Sequence, residues 1–137
     1  MNIENMNTPK MLALGEAHVT MTTLAQKVYI YLGGSGTATI DWGDGLKVRT
    51  INLVPVGDEK HPTSLIRVFK RYSDTSAHTI TITGSGITFV GCNGSNLTAL
   101  DVSQNPALTR LDCRNNQLTE LDVSQNAALT QLKCYKN

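Results

Sequence analysis

Leu108-Thr109-Arg110-Leu111-Asp112-Cys113-Arg114-Asn115-Asn116 returns 21 residues later as Leu129-Thr130-Gln131-Leu132-Lys133-Cys134-Tyr135-Lys136-Asn137. Between the two stands a sister segment, Leu118-Thr119-Glu120-Leu121-Asp122-Val123-Ser124-Gln125-Asn126. One period earlier that sister reads Leu97-Thr98-Ala99-Leu100-Asp101-Val102-Ser103-Gln104-Asn105. A degenerate first copy is Ile87-Thr88-Phe89-Val90-Gly91-Cys92-Asn93-Gly94-Ser95. The copies begin at 87, 97, 108, 118 and 129, so half-repeats of 10 and 11 residues alternate inside a unit of 21. The cysteines, at 92, 113 and 134, keep the same period. A fixed period of this length marks stacked repeats that bury a shared core.

Spacing dictates the local structure. The second Leu and the Val or Cys stand two apart, so they point to one side of a short strand. The first Leu leads into that strand and fills the same interior. The closing Asn suits a turn, where its amide can satisfy backbone groups that have left the ladder. Ten or eleven residues leave no room for an ordinary helix. Two short extended segments per coil are therefore expected, one on each face of a stack with strands ~4.8 Å apart.

Upstream the pattern changes. His18–Thr23, Lys27–Leu32, Thr37–Trp42, Lys47–Leu53, Leu65–Tyr72 and His78–Thr83 alternate or are β-branched. Turn signals separate them at Gly33-Gly34-Ser35-Gly36, Gly43-Asp44-Gly45, Val56-Gly57-Asp58 and Gly84-Ser85-Gly86. Short strands so punctuated predict an antiparallel β-sandwich. A weak helical pattern before Leu14 is the one exception. The chain is thus expected to be all-β: residues 1–10 a flexible tail, 11–86 a small sandwich, 87–137 a repeat array of about two and a half coils.

Composition narrows the function. The chain has 137 residues, 40% of them apolar, and a formal charge of +1. No basic run exceeds Lys70-Arg71, which argues against a nucleic-acid partner. Apolar stretches as short as Met11-Leu12-Ala13-Leu14 argue against membrane insertion and against a signal peptide.

The motif L-x-x-L-x-[V/C]-x-x-N resembles the leucine-rich repeats of internalin-like bacterial surface proteins, in their nested 21-residue form. Ala38-Thr39-Ile40-Asp41-Trp42-Gly43-Asp44-Gly45 resembles the Trp-Gly-Asp-Gly signature of polycystic-kidney-disease-type (PKD-like, Ig-like) domains. His78-Thr79-Ile80-Thr81-Ile82-Thr83-Gly84, preceded by Phe69-Lys70-Arg71-Tyr72, resembles their closing strands. Together these resemblances imply a leucine-rich repeat solenoid after a PKD-like sandwich, in an extracellular or cell-surface protein that adheres to or recognises a partner. Such arrays generally need three or more repeats and a cap, so this one reads as truncated, or covered at its open end. Self-association through the open C-terminal repeat is a corollary, because Leu129–Asn137 leaves a strand edge and apolar side chains uncovered.

The chemistry-bearing residues mostly take structural readings. Each cysteine occupies the slot that Val102 and Val123 fill in the sister segments, which makes them buried thiols rather than a metal site or disulfides. Asp41 and Asp44 could contribute to a calcium site, but Asp-Gly at such a place usually makes the turn, and one short loop supplies too few oxygens. Trp42 reads as a packing residue. His18, His61 and His78 have no metal-binding spacing, and no nucleophile motif or phosphate loop occurs. No catalytic residue, metal or cofactor is expected.

One asymmetry points to a site. In the Val segments the outward residues hardly change: Ala99, Asp101, Ser103, then Glu120, Asp122, Ser124. In the Cys segments they vary: Phe89, Gly91, Asn93; Arg110, Asp112, Arg114; Gln131, Lys133, Tyr135. Arg and Tyr are also favoured at interface hot spots. The candidate binding face is therefore Phe89, Asn93, Arg110, Asp112, Arg114, Gln131, Lys133 and Tyr135, with a protein or glycan as partner. Free drift of an exposed, unconstrained face would leave the same pattern, and the chain would then be a passive spacer or stalk segment.

Overall fold

The computed structural model describes residues 17–57 and 65–137. The expected tail over residues 1–10, the helical pattern before Leu14, and His61 lie outside the described residues. Among those residues there are ten strands and no helix. They are β1 His18–Thr23, β2 Lys27–Gly34, β3 Thr37–Asp41, β4 Arg49–Asn52, β5 Ile66–Arg71, β6 His78–Thr83, β7 Ile87–Gly91, β8 Leu97–Gln104, β9 Arg110–Asp112 and β10 Gln131–Lys133.

Two five-stranded sheets, ordered β4-β3-β6-β1-β8 and β10-β9-β7-β2-β5, enclose one apolar core in a sandwich-like arrangement. Alternation drives this. In β2, Val28, Ile30 and Leu32 are fully buried while Lys27, Tyr29 and Tyr31 stand outside. Opposite them Val19 and Met21 of β1 and Ile80 and Ile82 of β6 close the core. The first sheet is antiparallel throughout. The second is mixed: β5, β2 and β7 run antiparallel, then β7, β9 and β10 run parallel.

The parallel part follows from the period. Phe89 pairs with Arg110 and Arg110 with Gln131, so each step across the ladder is 21 residues along the chain. The backbone bonds continue past the strand ends: Gly94 N donates to Arg114 O (3.1 Å) and Asn115 N to Tyr135 O (3.2 Å).

The Val segments behave differently from expectation. Leu97–Gln104 is a strand because β1 pairs with it antiparallel. Residues 118–126 form no strand. Both segments carry the same local bonds, Ser103 N to Asp101 Oδ1 (2.9 Å) and Ser124 N to Asp122 Oδ1 (2.8 Å), which turn the backbone away from a ladder. Only the first has β1 to hold it extended. The second is tied to its predecessor by a side chain: Asn126 Nδ2 donates to Val102 O (2.8 Å) and Asn105 O (3.0 Å).

The strands on either side of residues 86 and 87 are joined. β1 lies against β8 and β2 against β7, so upstream strands pair with both strands of the segment 87–104. The apolar core is continuous from Val19 to Leu118.

Two further expectations need adjusting. Gly33 and Gly34 belong to β2 and leave the turn to Ser35 and Gly36. Gly34 has φ +149°, and a Cβ there would run into the Gly86 carbonyl, so glycine is required for the close approach of β2 to β7. Cys92 and Cys113 are fully buried like Val102, but Cys134 is exposed, just past β10 at the edge of its sheet. Burial holds the Cys92 thiol well above the ordinary range and pushes Cys113 up to about 11.

Candidate functional site

Sequence register gathers the candidate face. The parallel ladder sets Phe89, Arg110 and Gln131 in one outward row, and Gly91, Asp112 and Lys133 in the next. A third row lies just past the strand ends, where Asn115 Nδ2 donates to Asn93 Oδ1 (2.8 Å) and Arg114 Nη1 donates to the Tyr135 hydroxyl (2.8 Å). All eight candidate residues therefore share one face. Leu111, in the same strand as Arg110 and Asp112, is 1% exposed and points inward.

These side chains are held in place by each other. Arg114 donates from Nε and Nη2 to the two Asp112 carboxylate oxygens at 2.8 Å each, and its guanidinium carbon sits 5.5 Å from the Tyr135 ring centroid. The Asp112 bonds, then the Tyr135 hydroxyl, raise the Arg114 pKa, so it stays charged. Arg110 Nη1 donates to Gly57 O at 3.1 Å, which orients the guanidinium. A Cβ added at Gly91 would lie 3.0 Å from the Phe89 ring and 3.3 Å from Tyr31 Cβ, so the glycine makes room for the ring to lie beside Tyr31. A shallow hollow of about 60 Å³ lies between Phe89, Arg110, Asp112, Gln131 and Lys133.

The face does not stop at the repeats. β2 pairs with β7 so that Tyr31 meets Gly91 and Gly33 meets Phe89. β5 pairs with β2 so that Arg67, Phe69 and Arg71 stand opposite Tyr31, Tyr29 and Lys27. Tyr29 and Phe69 pack with ring centroids 4.8 Å apart, and Arg67 lies over Tyr29 at 5.6 Å. Sequence reasoning missed these residues. Their alternation was visible, but the adjacency of β2 to β7 was not.

A larger groove, about 960 Å³, opens on the opposite face between β1, β8 and residues 119–124. It exists because residues 118–126 do not join β8 in a ladder. Two of its carboxylates, Asp101 and Asp122, are already engaged by Ser103 and Ser124.

The Trp-Gly-Asp-Gly turn has a structural occupation. Asp41 Oδ1 accepts from Gly43 N (2.9 Å), Asp44 Oδ1 accepts from Leu46 N (3.1 Å), and the Lys70 ammonium pairs with Asp44 Oδ2. The Lys70 bond holds the Asp44 carboxyl below its usual range. Trp42 is buried, and its carbonyl accepts from the Tyr72 hydroxyl at 2.6 Å. Tyr72 stacks on His78 at 3.9 Å. Asp74 and Ser76 both approach the same ring nitrogen of His78, at 2.9 and 3.4 Å. A proton relay needs the two ring nitrogens to face different groups, so this trio is not a catalytic triad.

No protein-family model, curated protein or solved structure matches the chain.

Proposed function

We propose that this chain is a non-enzymatic recognition module of a bacterial surface or secreted protein. In this reading residues 87–137 are a short leucine-rich repeat solenoid of the internalin-like kind. The upstream strands are a PKD-like sandwich, and β1 and β2 serve as its cap. Capping answers a physical need, because the first coil of a stack would otherwise expose apolar side chains and an unpaired strand edge.

One observation carries the functional reading. The outward face of the parallel ladder holds Asp112, Arg114 and Tyr135 in fixed mutual contact, and Arg110 beside them is anchored separately to Gly57. Side chains already immobilised lose less freedom on binding, which is where affinity is gained. The residue types are those of interface hot spots, and no comparable fixed array occurs among the repeated residues of the Val segments.

The test is a panel of arrayed glycans and purified surface proteins, probed with the wild-type chain and with an Arg110→Ala, Arg114→Ala, Tyr135→Ala variant. Ligands retained by the wild type should be lost by the variant while its circular dichroism and melting temperature are kept. Ligands held equally by both would remove the face from consideration.

A further inference from the structure

Resting on that recognition reading, we infer that the outer face of the β10-β9-β7-β2-β5 sheet is a track for a linear acidic polysaccharide, one bearing sulfate or carboxylate groups on successive sugars.

The charge distribution is the first reason. The formal charge of the chain is only +1, yet Lys27, Arg67, Arg71, Arg110, Arg114 and Lys133 all stand on this one face, and Asp112 is the one carboxylate in its strand rows. Lys27 and Arg71 are direct cross-strand partners. Like charges placed so oppose sheet formation, and among the described residues neither makes an ion pair with a carboxylate. An anion lying between them would turn that repulsion into attraction.

Shape is the second reason. Four of the five strands carry cations, and β7 between them contributes Phe89 and Gly91 in their place. The cations run from one edge of the sheet to the other with Tyr29, Tyr31, Phe69 and Phe89 interleaved. The hollow beside Phe89 is shallow, about 60 Å³. A flat track open at both edges suits an extended polymer better than a compact ligand, and exposed rings offer apolar surface to the C–H faces of sugars.

Asp112 decides between polymers. It neutralises Arg114 in the middle of the track and so interrupts the row of cations. That interruption matches a polymer with hydroxyls between its charges better than one carrying a phosphate at every nucleotide. The carboxylate accepts from the hydroxyls that a polysaccharide carries between its charges, and Asn93 and Gln131 on the same face can do likewise.

The experiment uses dextran sulfate, neutral dextran of matched length, polyglutamate and oligodeoxythymidylate, with binding measured by calorimetry. Dextran sulfate should bind at least ~10-fold tighter than each of the others, weakening ~10-fold or more between low and moderate salt as screening grows. Lys27→Gln with Arg71→Gln, and separately Arg110→Gln with Arg114→Gln, should each lower affinity ~10-fold. Lys47→Gln with Arg49→Gln removes equal charge around β4 of the other sheet and should change it less than about twofold. Equal losses from all three pairs would show attraction to net charge alone and overturn both the track and the face. Polyglutamate or oligodeoxythymidylate binding as tightly, yet still dependent on the face pairs, would overturn the polysaccharide and leave the recognition face standing. No binding of dextran sulfate would likewise overturn the polysaccharide, with the recognition reading then resting on the arrayed panel.

Discussion

Asn116 reaches back one coil to Leu97: its Oδ1 accepts the Leu97 backbone N–H at 3.0 Å. The same oxygen accepts from Ser95 N at 3.0 Å, and Nδ2 donates to Cys92 O and Cys113 O at 3.0 Å each and to Arg114 O at 3.1 Å. One amide thereby satisfies backbone groups of two coils where they leave the ladder. Asn116→Ala strands those groups in a buried place at about 1–3 kcal/mol for each one left unpaired. A loss of about 3–5 kcal/mol in urea unfolding is expected. Asn126→Ala, which removes donors to Val102 O and Asn105 O only, should cost about half as much. Equal costs would mean that the two turns are not distinguished by their bond count.

Glycines in one turn should differ sharply. Gly43 and Gly45 have φ near +71° and +75°, yet a Cβ at Gly43 would run into the Thr79 carbonyl while one at Gly45 meets nothing within 4 Å. Gly45→Ala carries the left-handed strain alone, about 1–2 kcal/mol. Gly43→Ala adds displacement of β6 and should cost about 3 kcal/mol or more. Thermal unfolding of the two variants checks the order, and a milder Gly43→Ala would mean that the turn can move off β6.

Alkali should destabilise the fold in two stages. Burial raises the thiols of Cys92 and Cys113 above their unfolded value of 9.0 and raises Tyr72 from 10.0 to about 12. A folded pKa above the unfolded one gives stability that is whole below the unfolded value and lost as pH rises toward the folded value. The thiol contribution therefore falls from pH 9 upward, and the Tyr72 contribution between pH 10 and about 12. For a single group the slope approaches about 1.4 kcal/mol per pH unit. Melting temperature followed from pH 8 to 11 should fall less steeply above pH 9 in Cys92→Val, Cys113→Val, and less steeply above pH 10 in Tyr72→Phe. At neutral pH the valine pair should cost less than about 1.5 kcal/mol, since Val102 already fills the equivalent slot fully buried and each substitution adds only one heavy atom.

Much of this was legible in the residues, and the rest was not for identifiable reasons. The 21-residue period placed Phe89, Arg110 and Gln131 in one row, because a parallel ladder repeats whatever the chain repeats. Alternation placed Val28, Ile30 and Leu32 inside. Strand order was hidden: nothing local to Tyr31 says that its neighbour is Gly91, sixty residues on. The Val segment over 118–126 was misjudged because it matches Leu97–Gln104 almost letter for letter. The difference between them is β1, a partner from outside the repeat.

The row of inward leucines states the last prediction. Val90 is 0% exposed, Leu111 1% and Leu132 39%, although the three are register partners in one ladder. Val90 and Leu111 lie in inner strands, whereas Leu132 lies in β10, the edge of its sheet. An edge strand beside a half-exposed leucine is a template for pairing with another chain. The molecular mass from light scattering should therefore rise with protein concentration, and Leu132→Glu should hold it at the monomer value by placing a charge where the second chain would lie. The association buries apolar surface, so added salt should leave it intact or strengthen it, the opposite of what salt does to dextran sulfate binding. A wild-type mass independent of concentration would sink the idea. A mass that rises but falls back on adding salt would shift the contact from Leu132 to the charged face.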